Sequence, residues 1–244
     1  MIKAALNGGR TRAENASIPI TPNELAASAK ESVAAGAGAI HFHVRRAEGR
    51  ESLDPEDVAT ALTAVRSAIP GTPVGVSTGA WILENALLRH EMISRWTILP
   101  DFASVNFKED GAVPLAEMLL SRGVAVEAGL SDPHGTEVFV TSGLAPRCLR
   151  ILLEPFEPSK ETALEMLKQI EAMLDVAGLT LPCLLHGLNQ TAWALIDEAA
   201  ARGYDTRVGF EDILTLPDGT SAHSNGALVS ETCRRMRSAP AGSG

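Results

Sequence analysis

Short apolar runs recur along the chain, with stretches of helical periodicity between them. Runs of this length, bounded by turn residues, read as buried strands. The pattern predicts strands at 2–6, 39–43, 74–77, 102–106, 124–127, 150–153, 181–186 and 206–209. The intervening stretches open with helix-start signals. Thr21-Pro22-Asn23-Glu24 has the form of a capping box with proline at the first helical position. Asp54-Pro55 repeats the cap-then-proline pattern. Pro158-Ser159 precedes a helix over 161–174, in which Leu164, Leu167 and Leu174 recur at helical spacing. Gly36 and Gly38 close the first helix ahead of the second strand.

Strands that alternate with helices pair in parallel through crossovers. Eight such units in a chain of 244 residues fit a closed (β/α)8 TIM barrel, an α/β fold that runs to roughly 250 residues as one domain. The expected catalytic domain covers 1–237, with a loose tail at 238–244. An open doubly wound sheet is the rival, and it calls for a phosphate loop after a strand. The first strand is followed by Asn7-Gly8-Gly9-Arg10, which is not G-x-G-x-x-G.

In a barrel of this kind the active site lies at the carboxyl ends of the strands. Polar residues fall at those ends repeatedly: Asn7 and Arg10, His41 and His43, Ser77 and Thr78, Asn106, Glu127, Glu154, His186, and Glu211 with Asp212. Alternate residues of a strand share a face. His41 and His43 therefore point one way and Ile40, Phe42 and Val44 the other. Arg207, Gly209 and Glu211 share a face, with Val208 and Phe210 behind them. The second and eighth strands both neighbour the first, at roughly 4.8 Å per step. Two imidazoles and a carboxylate can thus meet on one divalent ion and leave room for substrate. Zinc is the first choice for that donor set; manganese, iron and cobalt accept the same ligands.

A buried arginine needs a carboxylate, and Asp212 or Glu127 can supply one for Arg207. In the functional reading Arg207 orients Asp212 as a general base. A regular strand aims Asp212 outward, so this needs the chain to turn after Glu211. Ser77-Thr78-Gly79 offers hydroxyl and backbone donors to a substrate carboxylate. Arg10, Arg45 and Arg46 stand near the mouth as candidate anion binders or solvated cations. His186 faces the pocket or caps its strand, and His90, His134 and His223 read as surface or loop residues.

Formal charge is −9 and hydrophobic content 45%. A basic face for nucleic acid or anionic membrane is therefore not expected. No apolar run approaches the roughly 20 residues that span a bilayer, and the first residues show no signal peptide. Cys148, Cys183 and Cys233 lack C-x-x-C spacing and read as buried thiols of a cytoplasmic protein.

The segments I-K-A-A-L-N-G, P-I-T-P-N-E-L-A, A-G-A-G-A-I-H-F-H-V-R, S-T-G and R-V-G-F-E-D run in order from residue 2 to about residue 214. In this the chain resembles the β-keto acid cleavage enzymes, whose type member is the 3-keto-5-aminohexanoate cleavage enzyme. The resemblance implies a zinc TIM barrel that assembles as a homo-oligomer. It implies a retro-Claisen acyl exchange, in which a β-keto acid and acetyl-CoA give acetoacetate and a new acyl-CoA. By motif match His41, His43 and Glu211 hold the zinc, Asp212 is the base positioned by Arg207, and Ser77, Thr78 and Asn106 hold the substrate. The family often follows H-V-R with Asp where this chain has Arg46. The lysine-pathway member carries an acidic residue near N-G-G-R, where Arg10 stands here. A substrate whose far end is neutral or anionic suits Arg10. A metal-dependent aldolase or hydrolase, or a keto-acid-binding barrel without catalysis, are the alternatives on the same residues.

Overall fold

The computed structural model describes residues 1–238. Eight parallel strands close into a barrel in chain order. They are β1 (Ile2–Ala5), β2 (Ala39–Phe42), β3 (Val74–Ser77), β4 (Phe102–Asn106), β5 (Ala125–Leu130), β6 (Arg150–Leu153), β7 (Cys183–Leu185) and β8 (Asp205–Val208). Each is followed by a helix: α1 (Pro22–Ala34), α2 (Pro55–Ala68), α3 (Ala86–Ser94), α4 (Ala112–Ser121), α5 (Pro133–Ser142), α6 (Lys160–Val176), α7 (Ala192–Arg202) and α8 (Asn225–Ser238). This is the expected (β/α)8 TIM barrel. The expected tail begins with Ser238, which instead ends α8; residues 239–244 of that tail lie outside the described residues. No helix among the described residues is long and apolar enough to cross a membrane.

The helix starts follow from the sequence signals. Thr21 accepts from Glu24 N while the Glu24 side chain accepts from the Thr21 backbone, completing the capping box. Asp54 accepts from Glu56 N ahead of Pro55, and Ser159 accepts from Thr162 N at the head of α6. The strand ends differ in three instructive places. β7 starts at Cys183 rather than 181, because Pro182 has no N–H to give the ladder and offers only its carbonyl, to Ile151 N. β5 runs on to Leu130, three residues past Glu127, so Glu127 sits deep in the barrel rather than at a strand end. β8 stops at Val208, because the chain turns at Gly209: Asp212 N and Ile213 N both donate to its carbonyl, at 2.8 and 2.9 Å.

The alternation in β2 and β8 places side chains as strand geometry requires. Ile40, Phe42, Val44, Val208 and Phe210 join the apolar core under the helices. His41, His43, Arg207 and Glu211 line a cavity at the carboxyl ends of the strands. The barrel floor is polar too: Lys3 on β1 pairs with Glu127 on β5, and both are fully buried. Arg150 Nε lies 3.2 Å from the other Glu127 oxygen. The Lys3 ammonium also stands over the Phe102 ring, 5.6 Å from its centre.

Candidate active site

Two asparagines and two glycines fix the backbone that carries the site. Asn7, at the end of β1, accepts from His43 N (2.8 Å) and donates to His43 O (2.9 Å) and Pro19 O (3.1 Å). Its side chain thus locks the second histidine just where β2 leaves the ladder. Asn225, the first residue of α8, accepts from Phe210 N (2.7 Å) and donates to Leu6 O (2.9 Å), pinning the turn that presents Glu211. Gly209 must be glycine because a Cβ there would lie 1.9 Å from Ala5 O. Gly8 has φ +54°, and its missing side chain is the space that the Glu211 Cβ and Cγ occupy.

His41, His43 and Glu211 come together on this frame. One ligand atom from each lies within 4.8 Å of the others. His41 Nε2 is 3.7 Å from Glu211 Oε2 and His43 Nε2 is 3.4 Å from Oε1. Both imidazoles are buried. Glu211 Oε2 is buried without a hydrogen-bond partner. An orphaned carboxylate oxygen beside the His41 nitrogen, with the His43 nitrogen facing the other oxygen of the same carboxylate, fits a divalent ion. Behind His43, Glu51 bonds Nδ1, and Trp81 Nε1 donates to both Glu51 oxygens at 3.1 Å. Trp81 also stacks on the His43 ring, with centres 5.8 Å apart. A carboxylate behind a histidine is the usual outer partner of a metal-ligating imidazole, since it aims the far nitrogen at the ion.

The electrostatics divide the two histidines. Burial pushes His41 well below its usual value, against the pull of Glu211. Burial acts on His43 in the same direction, but Glu211 and Glu51 together raise it to about 9. Burial disfavours an ionised Glu211, yet Arg207, His43 and His41 hold it well below the usual carboxylate range.

Asp212 does turn inward, because the chain bends at Gly209. It is fully buried, and Arg207 donates to it from Nε (3.2 Å) and Nη2 (2.6 Å). Arg207 Nη2 also donates to Glu211 Oε1 at 2.9 Å, tying the two carboxylates together. His186 Nδ1 lies 3.5 Å from Asp212, and its Nε2 lies 3.3 Å from Glu154 Oε2. Burial and Arg207 push His186 down; Asp212 and Glu154 more than offset them and raise it. Burial raises Asp212, but Arg207 and His186 hold it below its ordinary value.

The cavity measures about 590 Å³, and His41, His43, Glu211, Ser77, Asn106 and Glu154 are among the residues lining it. Three of the strand-end residues lie off the cavity wall. Thr78 lies outside that lining, and its hydroxyl is given to Ser104 O at 2.7 Å, where it ties β3 to β4. Arg10 also lies outside it. Its guanidinium binds the Glu211 and Asp212 carbonyls, Glu14 and Asn189, so its donors brace the Glu211 turn. Glu127 pairs with Lys3 and Arg150 on the floor and gives nothing to Arg207. Arg45 bonds the carbonyls of Gly8, Arg10 and Gly49, and Arg46 lies on the surface beside Asp57. The three cysteines are unpaired and half-buried rather than buried. Glu51 and Trp81 are absent from the sequence expectations. Glu51 reaches His43 through an isolated antiparallel bridge to Arg45, and the signal for it is the polar loop that folds back after H-V-R.

The sequence pattern of the beta-keto acid cleavage enzyme family matches residues 1–241. The chain belongs to that family. A 3-keto-5-aminohexanoate cleavage enzyme from Acetoanaerobium sticklandii is 25% identical over 255 residues, covering 96% of this chain and 90% of its own. Its counterpart from Fusobacterium nucleatum is 25% identical over 251 residues, with the same coverage. A 3-oxoadipate:acetyl-CoA acetyltransferase from Cupriavidus necator is 35% identical, over 80 residues that make 32% of this chain and 28% of its own. Among solved structures, tryptophan synthase subunit alpha from Legionella pneumophila superposes with TM-score 0.57 at 13% identity, covering 97% of this chain and 92% of its own. The 3-dehydroquinate dehydratase of Aquifex aeolicus gives 0.55 at 13% identity, covering 97% of each. At such identities these two speak for the barrel alone. This member of the beta-keto acid cleavage family carries three candidate metal ligands, an Arg207–Asp212 pair and a cavity at one end of the barrel.

Proposed function

We propose that this family member is a metal-dependent acyltransferase, which converts a β-keto acid and acetyl-CoA into acetoacetate and a new acyl-CoA. The observation that carries the reading is the meeting of His41, His43 and Glu211 on the cavity wall, with one Glu211 oxygen left unpartnered. Those three residues would hold the ion. Zinc suits the donors best, with Mn2+, Fe2+ or Co2+ as replacements. When bound, such an ion draws electron density from a keto oxygen and acidifies the carbon beside it.

The chain's own groups do the rest. Ser77 and Asn106 line the cavity and offer donors to the substrate; Asn106 Nδ2 is already set by Glu109, at 2.9 Å. Glu51 and Trp81 keep His43 aimed. Removal of the substrate proton falls to Asp212, held in place by Arg207 and backed by His186. The acetyl-CoA part of the reading draws support from the printed activity of the Cupriavidus relative. In this reading the protein works in the cytoplasm as a homo-oligomer.

Metal-loaded protein is to be mixed with acetyl-CoA and a panel of β-keto acids, and acetoacetate followed. Formation that depends on acetyl-CoA is the expected result. Turnover without an acyl acceptor would move the reading to an aldolase or hydrolase. Binding of keto acids with no product under any CoA condition would leave a sensor barrel.

A further inference from the structure

The ends of β4, β5 and β6 stand side by side at the cavity, and the middle one carries no side chain there. Gly129 on β5 pairs with Asn106 of β4 and Leu152 of β6. It shares the inner face with the buried Glu127, two positions before it. A Cβ on Gly129 would lie 2.6 Å from Glu154 Oε1 and 2.7 Å from Asn106 Oδ1, so two acceptor oxygens converge on the point that a side chain would fill. Each is held by its other end. Glu154 Oε2 faces His186 Nε2 at 3.3 Å. Asn106 Nδ2 donates to Glu109 Oε1 at 2.9 Å, and Ala80 N holds the second Glu109 oxygen. The bond to Glu109 fixes which way the amide lies and leaves its oxygen toward Gly129. Neither converging oxygen takes a hydrogen bond from the described residues, and neither is sealed off from solvent. Asn106 and Glu154 both line the cavity. Two acceptors that face a ligand space without a donor of their own call for one from the ligand.

We propose that Glu154 Oε1 and Asn106 Oδ1 form a subsite for an uncharged N–H or O–H donor carried by one of the two reactants. The proposal rests on the reading above for the identity of those reactants, and it leaves Asp212 as the base. The donor is uncharged because cations already stand around the pair. Burial and Arg207 push His186 down, but Asp212 and Glu154 raise it on balance, which favours an imidazolium behind Glu154. Lys108 lines the same cavity, with its ammonium over the Phe156 ring at 4.7 Å and 3.9 Å from Asp132. A ligand ammonium at the pair would be repelled by both. Two groups fit the description. One is a hydroxyl on the keto acid chain, beyond the keto carbon. The other is the amide N–H of the pantetheine arm, two carbons from the thioester sulfur. In either case Glu154 and Asn106 decide which ligand is held and move no proton.

The test is titration calorimetry on metal-loaded protein with two couples of probes, each couple differing by the donor alone. 5-Hydroxy-3-oxohexanoate is set against 3-oxohexanoate. S-acetyl-N-acetylcysteamine is set against its oxygen ester, S-acetyl-2-acetoxyethanethiol. In one couple the donor-bearing member should bind the wild-type protein about tenfold more tightly, as expected where its absence leaves buried acceptors unpaired. The couple that shows the preference names the source of the donor. Gly129→Ala puts a methyl group on the shared point and should bring the ratio close to one. Asn106→Leu removes one of the two acceptors at similar volume and should lower the same ratio, which keeps the test open if the more crowded alanine variant does not fold. Melting temperature reads folding. Equal binding within both couples of the wild-type protein would overturn the subsite. So would a ratio that survives in either folded variant. Acetoacetate formation from acetyl-CoA is followed on the same samples. Its absence beside a clear donor preference would remove the acyl exchange and keep the subsite, so the two failures are told apart.

Discussion

At the floor of the barrel, Lys3 and Glu127 are fully buried with Lys3 against the Phe102 ring, and Arg150, partly exposed, reaches both Glu127 and Asp205. At the mouth, His41, His43, Glu211, Arg207, Asp212, His186 and Glu154 form a second buried charge cluster in the same barrel, sharing only β6 and β8 with the first. The floor shares Glu127 between two cations, with Asp205 as the second partner of Arg150, and lines none of the mouth's cavity. Each end has a carboxylate oxygen without a hydrogen-bond partner, but that of Glu127 lies 3.2 Å from the Arg150 guanidinium, whereas that of Glu211 belongs to a residue lining a 590 Å³ cavity. Buried charge alone therefore does not mark the site. What marks it is charge whose valence the protein leaves unfilled beside space for a ligand.

The sharpest way to break the comparison is to damage each end by one carboxylate. Glu211→Gln should abolish metal retention and acetoacetate formation together, because the amide cannot supply the anionic ligand. Metal content after dialysis and the coupled assay read both. Retained metal would show that the orphaned oxygen is not a ligand. Glu127→Leu should do the reverse: it leaves the buried Lys3 without its carboxylate and Arg150 with Asp205 alone, and costs about 3–5 kcal/mol of folding stability, while metal binding persists. The lower end of that range is expected, since burial already pushes the Lys3 ammonium down and it can give up its proton. Urea unfolding of the metal-free proteins measures it.

A smaller effect sharpens the mouth itself. Glu51→Gln should weaken metal binding by about 10–100-fold and leave folding nearly untouched, because Glu51 aims His43 without being a ligand. A competition titration against a chelator gives the ratio. Equal affinities would make the Glu51–His43 contact a loop anchor only.

How far these groups could be read from the sequence depends on the order of the backbone around them. His41, His43, Arg207 and Glu211 sit on or just beyond regular strands, so a period of two puts them on the inner face and chain order makes β2 and β8 flank β1. Glu127 obeys the same parity, yet its depth depends on where β5 ends, and nothing local says that the strand continues through Ala128-Gly129-Leu130. Asp212 is legible only as a condition, that the chain must turn; the turn itself is set by the approach of Gly209 to Ala5 and by Asn225 from α8. Arg10 and Thr78 stand at strand ends as expected, but their donors go to backbone carbonyls across the loop, a choice made by tertiary contacts. Glu51 lies eight positions past His43 and reaches it by a bridge that no periodicity encodes.

The mildest expected effect concerns protons, and it separates the two imidazoles. A metal ligand must be a neutral imidazole, so any proton on its ligating nitrogen has to leave when the ion arrives. Burial has already driven His41 well below its usual value, so it brings no proton to displace near neutrality. His43 stays protonated up to about 9 in the metal-free protein, because Glu211 and Glu51 outweigh its burial. Loading should therefore release close to one proton at pH 7, and affinity should rise about tenfold per pH unit before levelling off as pH passes about 9. The sign follows from competition: raising pH removes the proton from His43 and leaves the nitrogen free for the ion. Titration calorimetry of metal binding, in buffers of different ionisation enthalpy, counts the proton. Two released protons would mean that His41 is charged as well. None would mean that Glu51 and Glu211 do not hold His43 in its cationic form, and the contrast between the paired floor and the poised mouth would lose its electrostatic half.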